Sequence, residues 1–320
     1  GNRLCLLALL LATTVEAAEP ADRHEVRLLS FNAWGLGAHT GSDIGESIAV
    51  LRAADADIIG LQESRAWPED CALDTCEELS QGRLQVLAET LGYHVHENTS
   101  PGSVLSAAGA ILSRFPIVDT LGDGLGVAID IDGRRVRAWN VHPTDFPYQP
   151  YQLLKIEYGG QPFLSTADTA IAAARRARGN AVPLLLQAIG DSPESSLDIV
   201  FGDFNEPSHR DWSPRAVAAG KQPMVVAFPQ SRAMESAGFI DAYRAFFPNE
   251  ITHPGFTWTP FTSPEDPSDH HDRIDFIFLR GTRFEITGAA LIGEASPAAD
   301  IVVTPWPSDH RAVLAVIRLD

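Results

Sequence analysis

Five short motifs hold side chains that could do chemistry together: Ser30-Phe31-Asn32, Gln62-Glu63, Gly202-Asp203-Phe204-Asn205, Asp272-Arg273-Ile274-Asp275 and Ser308-Asp309-His310. Each follows or ends a run that reads as β-strand, and each contributes an acid, an amide or a histidine. Carboxylates, amides and a histidine together can hold a hard divalent cation and activate a water. They can do so only if the strands lie side by side in one folded unit. In outline this is a site for phosphoester hydrolysis.

Asp203 and Asn205 stand two apart at a strand end, so their side chains share one face of an extended segment. A carboxylate and an amide so placed can orient a water or coordinate a cation. Alone, the same pair more often caps or turns a chain. His310 offers a general base that works near neutral pH without a large pKa shift. Such a base needs a partner to fix its tautomer, and Asp275 is the best candidate. Glu63 directly follows an apolar run, an acid on the rim of a core, and is either an ion-pair partner or a metal ligand.

The elements that must position these side chains are legible as periodicities. Residues 26–32 read as a strand, 43–54 as a helix with Ile44, Ile48 and Leu51 on one face, and 58–62 as a buried strand. A helix over 79–91 ends at Gly92, and a strand over 108–113 stops at Pro116. Two strand-like runs, 126–131 and 134–141, flank Asp132-Gly133, the strongest short hairpin signal in the chain. The helical segment 166–190 contains Pro183, so it kinks there or is two helices. A strand over 197–205 follows, and the last third offers extended runs at 256–259, 272–279, 283–292 and 310–319. Antiparallel hairpins mixed with crossover helices do not build a purely parallel sheet. Two mixed β-sheets packed face to face, with helices outside, fit the order: an α/β sandwich.

The 320 residues suffice for one large core, and no repeat, low-complexity tract or linker divides them. The expected organisation is a leader over 1–18 and one domain over 19–320. Asn2-Arg3, the apolar stretch Leu4 to Ala12 and the small residues through Ala18 suit a secretory signal peptide, hence a secreted or periplasmic protein. A buried first helix is the alternative. The stretch is too short to span a bilayer, so no transmembrane segment is expected after its removal. Cys71 and Cys76 share one loop, where they form a disulfide in an oxidising compartment or remain two thiols. A net charge of −18 opposes nucleic acid and anionic lipid unless a basic patch or cations offset it. It does not oppose an enzyme whose bound metal is the largest local charge.

Taken together, the motifs and their order resemble the endonuclease/exonuclease/phosphatase superfamily of DNase I-like phosphoesterases. The resemblance runs from about Val26 to Leu319. Gly202 to Asn205 and Ser308 to His310 are its most specific pieces, supported by Leu61-Gln62-Glu63, residues 111–117 and Thr257-Trp258. It implies a four-layer sandwich and a metal-dependent hydrolase of phosphate esters. In that likeness Glu63 binds the catalytic Mg²⁺ (Mn²⁺ and Ca²⁺ remaining open), with Asn32 and Asp309 in or beside its shell. His310, held by Asp275, takes a proton from the attacking water, and Asp203 and Asn205 orient that water or the phosphate. His142 matches the histidine that contacts the phosphate. Val141 and Pro143 depart from the Thr and Leu that often flank that histidine, which bears on its pose.

After His142, residues 145–165 form an apparent insertion rich in aromatics: Phe146, Tyr148, Tyr151, Tyr158 and Phe163. Either it overhangs the metal site and selects the substrate, or it packs on the sandwich. His270 and His271 are expected on a solvated loop, and Arg175, Arg176 and Arg178 on a solvent-facing helix surface. By strand parity Arg135 and Arg137 face away from Asn140 and His142. The leading expectation is a monomeric phosphodiesterase acting on a small or lipid-like ester. The acidic charge and the lack of a long Lys/Arg cluster place a nuclease second. A phosphomonoesterase, a nuclease toxin subunit and a binding module that lost the reaction stay as alternatives.

Overall fold

Period-two alternation in the strands sorts apolar side chains onto two faces, and each face finds a different cover. The structure is a computed structural model that describes residues 24–68, 76–98, 105 and 108–320. The leader expected over 1–18 and Cys71 lie outside the described residues. Cys76 is in a disulfide.

The chain runs β1 (His24–Asn32), α1 (Ile44–Ala54), β2 (Ile58–Gln62), α2 (Arg83–Leu91), β3 (His94–Asn98), β4 (Gly109–Ser113), β5 (Ile117–Leu121), β6 (Gly126–Ile131) and β7 (Arg134–Val141). It continues through α3 (Gln149–Leu154), α4 (Ala167–Arg178), α5 (Ala181–Asp191), β8 (Leu197–Asp203), α6 (Pro214–Ala218), α7 (Pro229–Ser236), β9 (Ile240–Asp241) and α8 (Ala242–Phe246). The last strands are β10 (Asp275–Gly281), β11 (Phe284–Gly293), β12 (Ile301–Val302) and β13 (Ala312–Leu319). A seven-stranded sheet has the order β12-β11-β13-β1-β2-β4-β3, and a six-stranded sheet the order β5-β6-β7-β8-β10-β9. Both are mixed: β1 and β2 run parallel, as do β7 and β8, whereas β13 and β10 are antiparallel to β1 and β8. This is the expected four-layer sandwich.

Val26, Leu28 and Ile58 from one sheet meet Val136, Ile199, Phe201 and Ile277 from the other in the inter-sheet core. Their sequence neighbours Leu29, Phe31, Ile59 and Leu61 point outward beneath α1 and α2. On the opposite flank Trp139, Val200, Phe276 and Phe278 pack under α5 and α7. A turn with Asp132 at φ 51° and Gly133 at φ 85° joins β6 to β7, the expected two-residue hairpin.

Several local expectations are corrected. The segment 166–190 is two helices, one of the two expected outcomes, but the break falls at Gly179-Asn180 and not at Pro183, which sits in the first turn of α5, where its missing N–H is tolerated. A Cβ at Gly179 would lie 2.3 Å from the Arg175 carbonyl oxygen, so glycine suits the break. The second helix starts at Arg83, after a left-handed Gly82, and not at 79. At 256–259 the only pairing is by isolated bridges of Trp258 to Asp272 and His310. The strand β3 was not anticipated, because its residues are mostly polar and half exposed.

The sheets approach closely where β2 crosses β8. A Cβ on Gly60 would lie 2.3 Å from the Phe201 Cβ, so a methyl there must push the sheets apart. We expect Gly60→Ala to destabilise the fold by about 1–3 kcal/mol, the usual cost of overpacking. Gly190→Ala, in α5 with open space around its Cβ, should be neutral or stabilising by roughly 0.5–1 kcal/mol. Urea denaturation midpoints compare the two, and equal midpoints would contradict the tight crossing.

Candidate active site

The site forms where the inward-facing residues of the central strands turn from apolar to polar. On β1 that face carries Leu28, then Ser30, then Asn32; on β8 it carries Ile199, Phe201 and Asp203; on β10 it begins with Asp275. Parallel pairing sets the ends of β1 and β2 level, Asn32 opposite Gln62, so that Glu63 follows beside Asn32. In the other sheet Val141 pairs with Gly202, bringing His142 beside Asp203, and antiparallel pairing sets Asp275 opposite Asp203. Asp309 and His310 arrive just before β13, which lies against β1. All eight expected site residues therefore gather at one end of the sandwich.

Glu63 breaks the strand rule. Parity would aim residue 63 outward with Ile59 and Leu61, but its φ of 48° ends the strand, and its carboxylate instead accepts a hydrogen bond from Asn32 Nδ2 at 3.0 Å. Asn205 is also left-handed, at φ 51°. Side chains other than glycine adopt that region at a cost of about 1–2 kcal/mol, and such strain concentrates at functional sites.

Asn32 Nδ2 also donates to Asp203 Oδ2 at 3.0 Å, tying the two sheets together. His310 Nδ1 lies 2.9 Å from Asp275 Oδ2, and its Nε2 lies 3.6 Å from Asp203 Oδ2. His142 Nε2 is 3.5 Å from Asp203 Oδ2 and 3.7 Å from Glu63 Oε1. Asn205 stands slightly apart: its amide donates to the Pro143 carbonyl, and its backbone N–H donates to Asp203 Oδ1. Glu63, His142, Asp203, Asn205, Asp309 and His310 line one pocket of about 530 Å³, with Trp34, Tyr148, Tyr158 and Trp258 on its walls.

Burial and charge oppose one another throughout. Burial pushes Asp203 up, yet His310, His142 and Asn32 together hold it down at about 2. Burial lifts Asp275 to about 6 and also raises Asp309. For the imidazoles burial favours the neutral form, but the carboxylates outweigh it. Asp203 and Glu63 raise His142 to about 9, and Asp275, Asp203 and Asp309 raise His310 well above 6.5.

Four carboxylates thus face two imidazoles, and among the described residues none of the four accepts a hydrogen bond from a Lys or Arg side chain. The buried Oδ1 atoms of Asp309 and Asp275 have no hydrogen-bond partner. An excess of buried carboxylate with orphan oxygens suits a hard divalent cation. Asp203, Asp275 and His310 offer ligand atoms within 4.8 Å of one another. The His310–Asp275 hydrogen bond occupies part of that trio, so Glu63, its side chain 30% exposed, and Asp309 are the freer donors.

The sequence reading named Gln62, Thr257 and Ser308 as parts of motifs but did not find their bonds. Gln62 donates to Asn140 Oδ1 at 2.6 Å, and Asn140 in turn donates to the carbonyls of Leu61 and Ala110, a buried amide bridge between the sheets directly beneath the site. Thr257 Oγ1 accepts from the N–H groups of Ile274 and Asp275, fixing the start of β10. Ser308 donates to the Asn32 carbonyl. Amides and hydroxyls inside strands have no sequence pattern that distinguishes a bridge from an exposed face.

The insertion packs on the sandwich and also reaches the pocket. Tyr148 and Tyr151 are buried and bonded to Asp272 and Asp269, while Asp145, Tyr148 and Tyr158 line the pocket. It is a fixed wall, and α3 is part of it. Arg178, expected at the surface, is buried instead and holds this wall through Thr144, Pro147 and Gln149, with Glu206 3.7 Å away. His270 and His271 are also not solvated: His271 is buried against Thr262, and His270 bonds Gln222 beside Trp212. The parity argument for Arg137 holds, since it faces outward to Asp198 at 2.6 Å.

A four-layer sandwich with acids, amides and two histidines gathered at its strand ends is the architecture of a phosphoesterase. The profile of the Endonuclease/Exonuclease/phosphatase family matches residues 29–310, and the chain belongs to that family. By that membership it is a hydrolase acting on phosphate ester bonds, of a family generally dependent on divalent metals. An uncharacterised protein of Caenorhabditis elegans is 24% identical, over 91% of this chain and 90% of its own length. A humanised TDP2 of D. rerio superposes with a TM-score of 0.52 at 17% identity, over 92% of this chain and 98% of its own. An AP endonuclease from Archaeoglobus fulgidus superposes with a TM-score of 0.50 at 17% identity, over 91% and 98%. These two likenesses concern the fold.

The electrostatics make a direct prediction. In EDTA, His310 should hold its proton well above pH 6.5, as followed by ring ¹⁵N shifts in an NMR titration. Asp203→Asn removes one anionic neighbour and should lower that pKa. A His310 that titrates at or below 6.5 in the unsubstituted protein would contradict this balance of charge over burial.

Proposed function

We propose that the protein is a secreted or periplasmic, Mg²⁺-dependent phosphodiesterase that hydrolyses a small or lipid-like phosphate ester by direct attack of water. The observation that carries this reading is the His310–Asp275 pair facing Asp203, His142 and Glu63 across one pocket. Glu63 and Asp309, with Asn32 beside them, would hold a divalent cation, which when bound offsets the carboxylate field and polarises the phosphate. With that field offset, His310 is free to accept a proton at Nε2 while Asp275 holds Nδ1. Asp203 and Asn205 orient the water for attack on phosphorus, and the ester oxygen leaves from the opposite side. His142 donates to a phosphate oxygen as negative charge grows there.

Support for a small or lipid-like substrate comes from the pocket's aromatic walls, Trp34, Tyr158 and Trp258, and from the net charge of −18. A nuclease is the second reading, and the likeness to the AP endonuclease fold favours it.

A panel of sphingomyelin vesicles, phosphoinositides, plasmid DNA, RNA and small mono- and diesters, each with Mg²⁺ or EDTA, tests the reading. Glu63→Gln and His310→Ala should each lower kcat by about a thousandfold while circular dichroism stays unchanged. Turnover that survives EDTA or His310→Ala would sink the mechanism. For the substrate that responds, Tyr158→Ala should raise KM severalfold with a smaller effect on kcat, since it removes wall and not chemistry. Unchanged kinetics would remove the wall from substrate selection.

A further inference from the structure

A second cavity, of about 400 Å³, adjoins the reaction pocket and shares His142 and Asp145 with it. The last turn of α4 and the start of α5 form its far side, and Arg175 and Arg176 lie on its lining. Both arginines are exposed. Neither side chain pairs with a carboxylate or hydrogen-bonds another group among the described residues. That sets them apart from most arginines here: Arg114, Arg135, Arg137, Arg210, Arg273 and Arg311 each meet a carboxylate.

On a chain of net charge −18, two unpaired guanidiniums beside a reaction centre are a local reversal of sign. Arginine stays protonated at any working pH and presents a planar fork that matches phosphate oxygens. The one carboxylate on the lining, Asp145, is engaged by the Tyr158 hydroxyl and stands at the boundary with the reaction pocket. Asn180, at the N-terminus of α5, makes no side-chain capping bond and opens on the same space. Pro143 and Ala177 on the lining add no charge.

We propose that this cavity is a second anion subsite, so that the substrate is a phosphodiester carrying a further phosphate, with Arg175 and Arg176 as specificity-determining residues. The proposal rests on the phosphoesterase reading for the first pocket. It names a chemistry that an end-phosphorylated nucleotide diester and a phosphorylated polyol headgroup would both supply.

Two measurements test it. Calorimetric titration of inorganic phosphate in EDTA compares the unsubstituted protein with the double variant Arg175→Gln/Arg176→Gln. The affinity should fall roughly tenfold to a hundredfold in the variant, and Arg175→Lys/Arg176→Lys should retain part of it. Equal affinity in the Gln variant would overturn the subsite. With Mg²⁺, kcat/KM is then compared for thymidylyl-thymidine with and without a terminal phosphate at either end, and for glycerophosphoinositol with and without a 4-phosphate. The phosphorylated member of at least one pair should be preferred by about tenfold or more, and the Gln variant should bring that preference near one. No preference in either pair where turnover occurs would also overturn it. Arg-dependent phosphate binding without turnover of any diester would sink the hydrolase reading and leave the subsite standing.

Discussion

Everything at the site depends on the two sheets closing tightly enough for polar groups at their strand ends to meet. The constraint is local: β2 and β8 touch through Gly60 and Phe201, and just beyond that contact Asn32 bonds Glu63 beside it and Asp203 across the gap. Below the site the Gln62–Asn140 amide pair spans the same interface at 2.6 Å. A bulkier residue at Gly60 would separate groups that must stay within about 3 Å to hydrogen-bond. Apolar packing supplies the force that closes the sheets, and the amides set where along the strands the interior becomes polar.

The polar end carries an unfavourable charge set, kept in place by its surroundings. Asp203, Asp275 and Asp309 gather where burial disfavours ionisation; the neighbouring imidazoles and Asn32 more than offset that at Asp203, while Asp275 and Asp309 stay raised. Groups this costly remain because the backbone directs them: left-handed φ angles at Glu63 and Asn205 hold positions that ordinary strand geometry would not. The fixed wall formed by 145–165 then closes one side, buttressed by the buried Arg178 and by Asp272, which binds Tyr148 and Trp212 at once. A wall anchored by so many buried bonds shapes the pocket without needing to move.

Much of this was legible in the sequence. The inward-facing sets on β1, β7, β8 and β10 follow strand parity, and the Asp132-Gly133 hairpin follows turn chemistry. The site residues could be named because each stands at the end of a recognisable strand. Arg178, His270 and His271 were misplaced, since a charged or polar residue on a helix or loop reads as solvated until a tertiary partner buries it. The Gln62–Asn140 bridge was invisible for a related reason, as its partners lie on different sheets.

By itself the sequence determined the central strands, their burial parity, the layered class and the inventory of acids, amides and histidines. Those depend on local periodicity and on residue type, which a linear chain displays directly. Only the tertiary structure decided which side chains meet, that Glu63 turns inward against parity, and that the aromatic insertion is a wall. It also placed Arg175 and Arg176, unpaired, beside the reaction pocket. Such facts depend on distances between segments far apart in sequence, and those distances exist only once the two sheets have packed.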